Sequence, residues 1–164
     1  MAKLWEKGYQ LNTLIERFTV GQDYLLDREL VSADCLASAA HARMLASAAL
    51  LTPEEADRLV AGLRSIASAA RTAEFTVLPG DEDCHTAIEA ALTRELGEVG
   101  KKIHTGRSRN DQVLAAVRLY AKSGMHLLQA ALQRLAATLL ERAQEHAATP
   151  MPGRTHLQIA MPST

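Results

Sequence analysis

From Val113 to Leu139 the chain places an apolar or small residue at every third or fourth position, through Val117, Tyr120, Gly124, Leu127, Ala131 and Leu135, and no proline interrupts it before Pro150. That rhythm marks one amphipathic helix. At 1.5 Å per residue, about forty residues of helix make a rod about 60 Å long. Such a rod outruns the width of a compact domain, and its apolar stripe needs partner helices of similar length. No other stretch of the chain offers one. The pattern therefore predicts a helix from Ser108 to His146 whose partners lie in a longer chain, in other subunits or in both. It also predicts that Val117, Tyr120, Leu127, Leu135 and Leu139 are buried between chains.

The preceding residues read as shorter helices. Residues 23–51 hold neither glycine nor proline and read as one helix. "TPEE" then puts Thr52 at an N-cap, Pro53 at the first helical position and Glu55 at the capping-box position, opening a second helix that runs to Arg71. Residues 73–80 form a connector closed by "PG". A third helix from Asp83 to Glu95 sets Ala87, Ile88, Ala91 and Leu92 on one face and stops at Gly97. "THLQIAMPST" reads as the opening of another helix. No strand pattern stands out, so the expectation is an all-α chain with no sheet beyond a short ribbon. Its domains are an N-terminal helical domain over 1–107 and the start of a central helical-bundle domain over 108–164.

Composition narrows the function classes. A net charge of −1 argues against a general nucleic-acid or anionic-membrane surface. Cys35 and Cys84 lie in no metal-type spacing and give no disulfide framework. The start "MAKLWEKGYQ" has no apolar leader, and His41 and Arg43 interrupt the most apolar region. These features read as a cytoplasmic protein. His41 and His126 fall inside apolar segments and read as core or interface residues.

The chemistry concentrates in "HTGRSRNDQ", residues 104–112. Ser108 stands three residues before Asp111, the capping-box spacing, where the long helix begins. The first N–H groups of a helix lack internal partners, and its dipole attracts anions there. Asn110 adds donors, and Arg107 and Arg109 add fixed charge. Two readings stand on these residues: a site for a carboxylate or phosphate, and a solvated, well-capped helix start. A second cluster, "GRTHLQ" at 153–158, sets Arg154, Thr155 and His156 in a row beside a turn, with a histidine suited to proton transfer near neutral pH. A third, "DEDCHT" at 81–86, is explained mostly by the preference of acids for a helix N-terminus, with His85 left over.

Taken together, "DEDCHTAIEAALTRELGEVGKKIHTGRSRNDQV" and "PMPGRTHLQIAMPST" closely resemble the argininosuccinate lyases, a family of the fumarase/aspartase superfamily. The resemblance runs from Leu4 onward. It implies a fumarase/aspartase-like fold and a homotetramer whose central bundle is built from long helices of all subunits. It implies elimination of fumarate from argininosuccinate to leave arginine, with no cofactor and no metal, in arginine biosynthesis. Each active site is then drawn from three sequence regions on different subunits. By resemblance, Ser108, Arg109 and Asn110 are substrate contacts, Thr155 binds substrate, and His156 is the acid–base histidine. His85 with Asp83 matches the "DxH" that supports substrate binding. Arg154 stands where the family usually has tyrosine, and "RFTVGQDYLLD" holds no serine where an early substrate-contacting one falls. The serine base belongs to a third region, GSSxMPxKxNP, which has no match in these residues. A non-catalytic scaffold of the same fold, as in the lens crystallins, is the alternative, along with another fumarate-yielding lyase.

Overall fold

The computed structural model describes residues 21–164 together with Asn12, Leu14, Ile15 and Phe18. The absence of an apolar leader in 1–10 concerns residues outside that set, as does part of "RFTVGQDYLLD". The chain divides into two compact units between Ala121 and Lys122.

Every regular element among the described residues of the first unit is helical. A short helix α1 (Asp23–Leu26) passes through a 3-10 stretch (Asp27–Leu30) into α2 (Val31–Ser47). The single helix expected over 23–51 is thus broken. Tertiary ties replace helical regularity at the 3-10 stretch, where the Asp27 carboxylate accepts from the Cys84 N–H at 3.0 Å and the Arg28 guanidinium donates to the Val77 carbonyl. At its far end α2 stops where Ala49 turns to φ +57°. Helix α3 (Pro53–Arg71) begins as its sequence dictates: the Glu55 N–H donates to the Thr52 hydroxyl, and the Glu55 carboxylate accepts from the Thr52 N–H. Helix α4 (Cys84–Leu96) is capped by Asp83 and ends at Gly97. A one-turn helix α5 (Glu98–Lys101) and a 3-10 turn (Lys102–His104) lead to α6, the 37-residue helix Arg109–Glu145.

Helices α2, α3 and α4 meet over Val31, Leu45, Leu59, Leu63, Ile88 and Leu92, all buried. Burying each such side chain contributes about 1.5–3 kcal/mol, which makes this cluster the unit's main source of stability. Gly100 fixes how closely α5 approaches it: a Cβ there would lie 2.4 Å from the Leu92 carbonyl oxygen, a backbone atom with no room to yield.

In the second unit, α6 runs on to Glu145 without a proline or a break. Its apolar residues Leu127, Leu132, Leu135 and Leu139 are each more than half exposed. After Pro150 the chain forms an antiparallel ribbon of β1 (Arg154–Thr155) and β2 (Gln158–Ile159), with Arg154 opposite Ile159 and Thr155 opposite Gln158. The helix expected from "THLQIAMPST" is therefore a hairpin. Backbone pairing explains the difference: Met151 and Ser163 exchange hydrogen bonds of 2.7 and 2.9 Å, and the Ala160 N–H reaches the Gly153 carbonyl. Only glycine fits at 153, since a Cβ would stand 2.3 Å from the Met161 carbonyl oxygen. Among the described residues this ribbon is the only sheet, and the fold is all-α. No helix among them is long and apolar enough to cross a membrane.

Replacing Gly100 by alanine is expected to destabilise the chain by about 1–3 kcal/mol through overpacking against Leu92. Urea unfolding followed by circular dichroism measures it, with the exposed Gly80→Ala as control.

Candidate active site

The polar groups of the first unit are organised around a carboxylate with no solvent exposure. Asp34, on α2, is fully buried. Its Oδ1 accepts from the Ser38 hydroxyl at 3.3 Å, and its Oδ2 lies 3.1 Å from Nδ1 of His85, itself buried at the start of α4. The Arg107 guanidinium donates to the Ser38 hydroxyl at 3.0 Å, bringing a third element into the cluster. Burial depresses the Arg107 pKa, and the charges of Asp34, Glu89 and Asp111 oppose that shift. An isolated buried carboxylate is strongly unfavourable, so the cation and the donors around Asp34 are a condition of its presence.

The segment carrying "GRSRND" is pinned from the same helix. His41 Nε2 lies 2.9 Å from the Thr105 carbonyl, which accepts the ring N–H. Residues 34, 38 and 41 follow helical steps on α2, so a single face supplies Asp34, Ser38 and His41. At the head of α6 the Ser108 N–H donates to the Asp111 carboxylate at 2.8 Å, the Asp111 half of the expected capping box. That backbone donor is the main reason the Asp111 carboxyl sits below the usual carboxylate range. Asn110 is exposed, and its amide has no partner among the described residues. Arg109 is committed: its guanidinium meets the Asp83 carboxylate at 2.7 Å and the Thr86 hydroxyl at 2.8 Å. Asp83 is fully used as well, because its other oxygen accepts the Thr86 N–H as the cap of α4. The two helix N-termini of α4 and α6 are thereby locked side by side.

Of the residues singled out from the sequence, Asp83, His85, Ser108, Arg109 and Asn110 all lie at these two helix starts. Thr155 and His156 belong to the second unit. His156 occupies the tip of its hairpin with φ +51°, beside Leu157 at φ +65°. Two adjacent left-handed residues form a tight primed turn, usually the place of Asn-Gly, and strain of this type concentrates at functional sites. The Thr155 hydroxyl lies 2.9 Å from His156 Nδ1 and orients the ring. Asp34, Ser38 and His41 join this arrangement without a motif in the sequence, where His41 reads as a core or interface residue. Their sequence signal was a polar stripe, Asp-x3-Ser-x2-His, inside an alanine-rich helix.

Asp34, Cys84 and His85 are the one group among the described residues whose ligand atoms, within 4.8 Å of one another, suit a metal ion. Burial first, then the charges of Asp27, Asp34 and Asp83, push the Cys84 thiol well up, which opposes the thiolate a metal would need. The Cys35 thiol is pushed up to about 12, chiefly by burial. His126, expected in a core or interface, is exposed on α6 in the isolated chain.

The profile of the lyase family matches residues 10–164. The chain belongs to that family. It is similar to the argininosuccinate lyase of Bacteroides thetaiotaomicron, 48% identical over 162 residues, which cover 99% of this chain and 36% of that protein. The argininosuccinate lyase of Bacteroides fragilis is 47% identical over the same shares. That of Thermotoga neapolitana is 42% identical over 98% of this chain and 40% of its own length. The chain thus spans little more than a third of the curated relatives it matches.

Burial sets His41 below the ordinary histidine pKa, with Arg107 and His104 adding to the effect and the Thr105 carbonyl opposing it. A depressed value means the unfolded chain binds the proton first, so this contribution to stability is present above a pH of about 6.5 and is lost as pH falls below it. Chemical unfolding at pH 7.5 and 5.0 should show a smaller acid-side loss for His41→Gln than for the parent chain.

Proposed function

We propose that this chain supplies two separate sets of residues, one from each unit, to the active sites of an argininosuccinate lyase. The reaction is cofactor-free elimination of fumarate from argininosuccinate to give arginine, within arginine biosynthesis in the cytoplasm. A base removes the proton from the carbon beside a carboxylate. The carbon–nitrogen bond then breaks as the double bond of fumarate forms, and an acid protonates the departing guanidinium nitrogen. In this reading the head of α6, with Ser108 and Asn110, receives a substrate carboxylate whose charge builds during proton removal. His156 is the acid, oriented by Thr155, which also binds substrate. His85, Asp83 and Arg109 shape the neighbouring wall. The serine base comes from a region outside these residues.

The observation that carries the reading is the free amide of Asn110 on a capped helix start, fastened to the α4 start through Arg109 and Asp83. The 48% identity to an argininosuccinate lyase supports the choice of substrate class. The domain division proposed with it is 1–107 and 108–164, the second part opening a central bundle. Leu127, Leu132, Leu135 and Leu139 are exposed along one long helix, a larger apolar run than a monomer usually leaves in water. Their proposed cover is the matching helices of a homotetramer, with no nucleic-acid or membrane partner.

In an enzyme of the relatives' full length carrying these residues, Asn110→Ala should lower turnover by about 10²–10³ while leaving thermal stability near the parent value. Fumarate absorbance and a melting curve report the two effects. Full turnover in that variant would return the α6 head to a purely capping role. The 164 residues alone should show no turnover, and should regain it only with a fragment supplying the serine region. Sedimentation of the full-length enzyme should show a tetramer, which a charge at Leu135 (Leu135→Glu) disrupts.

A further inference from the structure

Asp34 has no role in the elimination as proposed, yet its carboxylate is the most deeply placed polar group of the first unit. Oδ1 is taken by Ser38. Oδ2 has no hydrogen-bond partner in line, and the nearest donor to it is His85 Nδ1 at 3.1 Å. A buried carboxylate oxygen left without a donor is costly, so the ring nitrogen facing it carries the proton. The one competitor for Nδ1 is the Cys84 thiol, 3.8 Å away, a weak donor at long range. A charged acceptor at the shorter distance wins. The ring's other nitrogen, Nε2, has no partner among the described residues, and in the neutral ring a proton on Nδ1 leaves it with a lone pair.

We infer that Asp34 is a positioning residue that holds His85 with its proton on Nδ1, so that Nε2 is an acceptor for an N–H donor of the substrate. Resting on the lyase reading, this gives His85 the guanidinium or ammonium end of argininosuccinate as its contact, while the carboxylates go to the head of α6. A histidine presenting Nε2–H would select the opposite chemistry, an anion. Ser38 and Arg107 serve the same purpose one step out, by fixing the carboxylate that fixes the ring.

The first test needs no turnover. Nitrogen-15 spectra of the ring-labelled chain at pH 8, with His85 assigned by its disappearance in His85→Gln, should show a protonated-type shift at Nδ1 and an unprotonated-type shift at Nε2. In Asp34→Asn that pattern should be lost or mixed, and in Cys84→Ala it should persist. Protonation at Nε2 in the parent chain overturns the inference. So does a pattern unchanged in Asp34→Asn or reversed in Cys84→Ala; the cysteine variant and the parent spectrum decide the matter if Asp34→Asn fails to fold. The second test uses the full-length enzyme with arginine and fumarate as product inhibitors. Asp34→Asn should weaken inhibition by arginine about tenfold, the size of one lost charge-assisted hydrogen bond, and leave fumarate unchanged. Equal weakening of both, or of fumarate alone, overturns the ligand assignment. A parent enzyme that does not cleave argininosuccinate defeats the lyase reading itself and leaves the spectral result standing on its own.

Discussion

A carboxylate sealed inside a small helical unit governs how the rest of that unit is arranged. Water would stabilise Asp34 far better than hydrocarbon does, so the fold must bring donors and positive charge to it from elsewhere in the chain. His85 arrives from α4, and Arg107, through Ser38, from the segment before α6. Elements distant in sequence are thereby brought to one point, and removal of any member leaves the others underpaired. The apolar cluster of Leu45, Leu59, Leu63 and Leu92 supplies cohesion without direction. The polar knot supplies the register, since hydrogen bonds and ion pairs are satisfied in one arrangement only.

The same knot bears on the ligand-binding role proposed for the head of α6. Arg109 is held by Asp83 and Thr86, and the preceding loop is held by His41 on Thr105. Between these fastenings Asn110 and the first N–H groups of the helix stay available, already oriented. Groups held in place before a ligand arrives lose little entropy on binding.

Much of this was legible in the residues. The 37-residue helix, the Thr52–Glu55 box, and the Asp83 cap with the Gly97 stop follow from local chemistry, and the structure has each of them. Two local expectations differ. The break at Asp27–Leu30 arises from ties to Cys84 and Val77, about fifty residues away in the chain, which no local pattern contains. The hairpin at 154–159 lacks the Asn-Gly signal of its turn, because a histidine and a leucine occupy the left-handed positions. The site was legible in its clusters and not in its wiring. Asp34 and Ser38 belong to no sequence motif, His41 reads there as a core or interface residue, and only their three-dimensional partners give them meaning.

The state of the two cysteines has a practical consequence. Both thiols are buried and free, and burial pushes the Cys35 thiol up to about 12, which disfavours its thiolate near neutral pH. The Cys84 thiol is held higher still. Maleimides and mild oxidants, which need the thiolate, therefore find almost nothing to react with in the folded chain. A cysteine introduced on the exposed face of α6, at Ser123 for example, becomes a single addressable position without any deletion of native thiols. Spin or fluorescent labels placed there report on the surroundings of α6 in an otherwise native background.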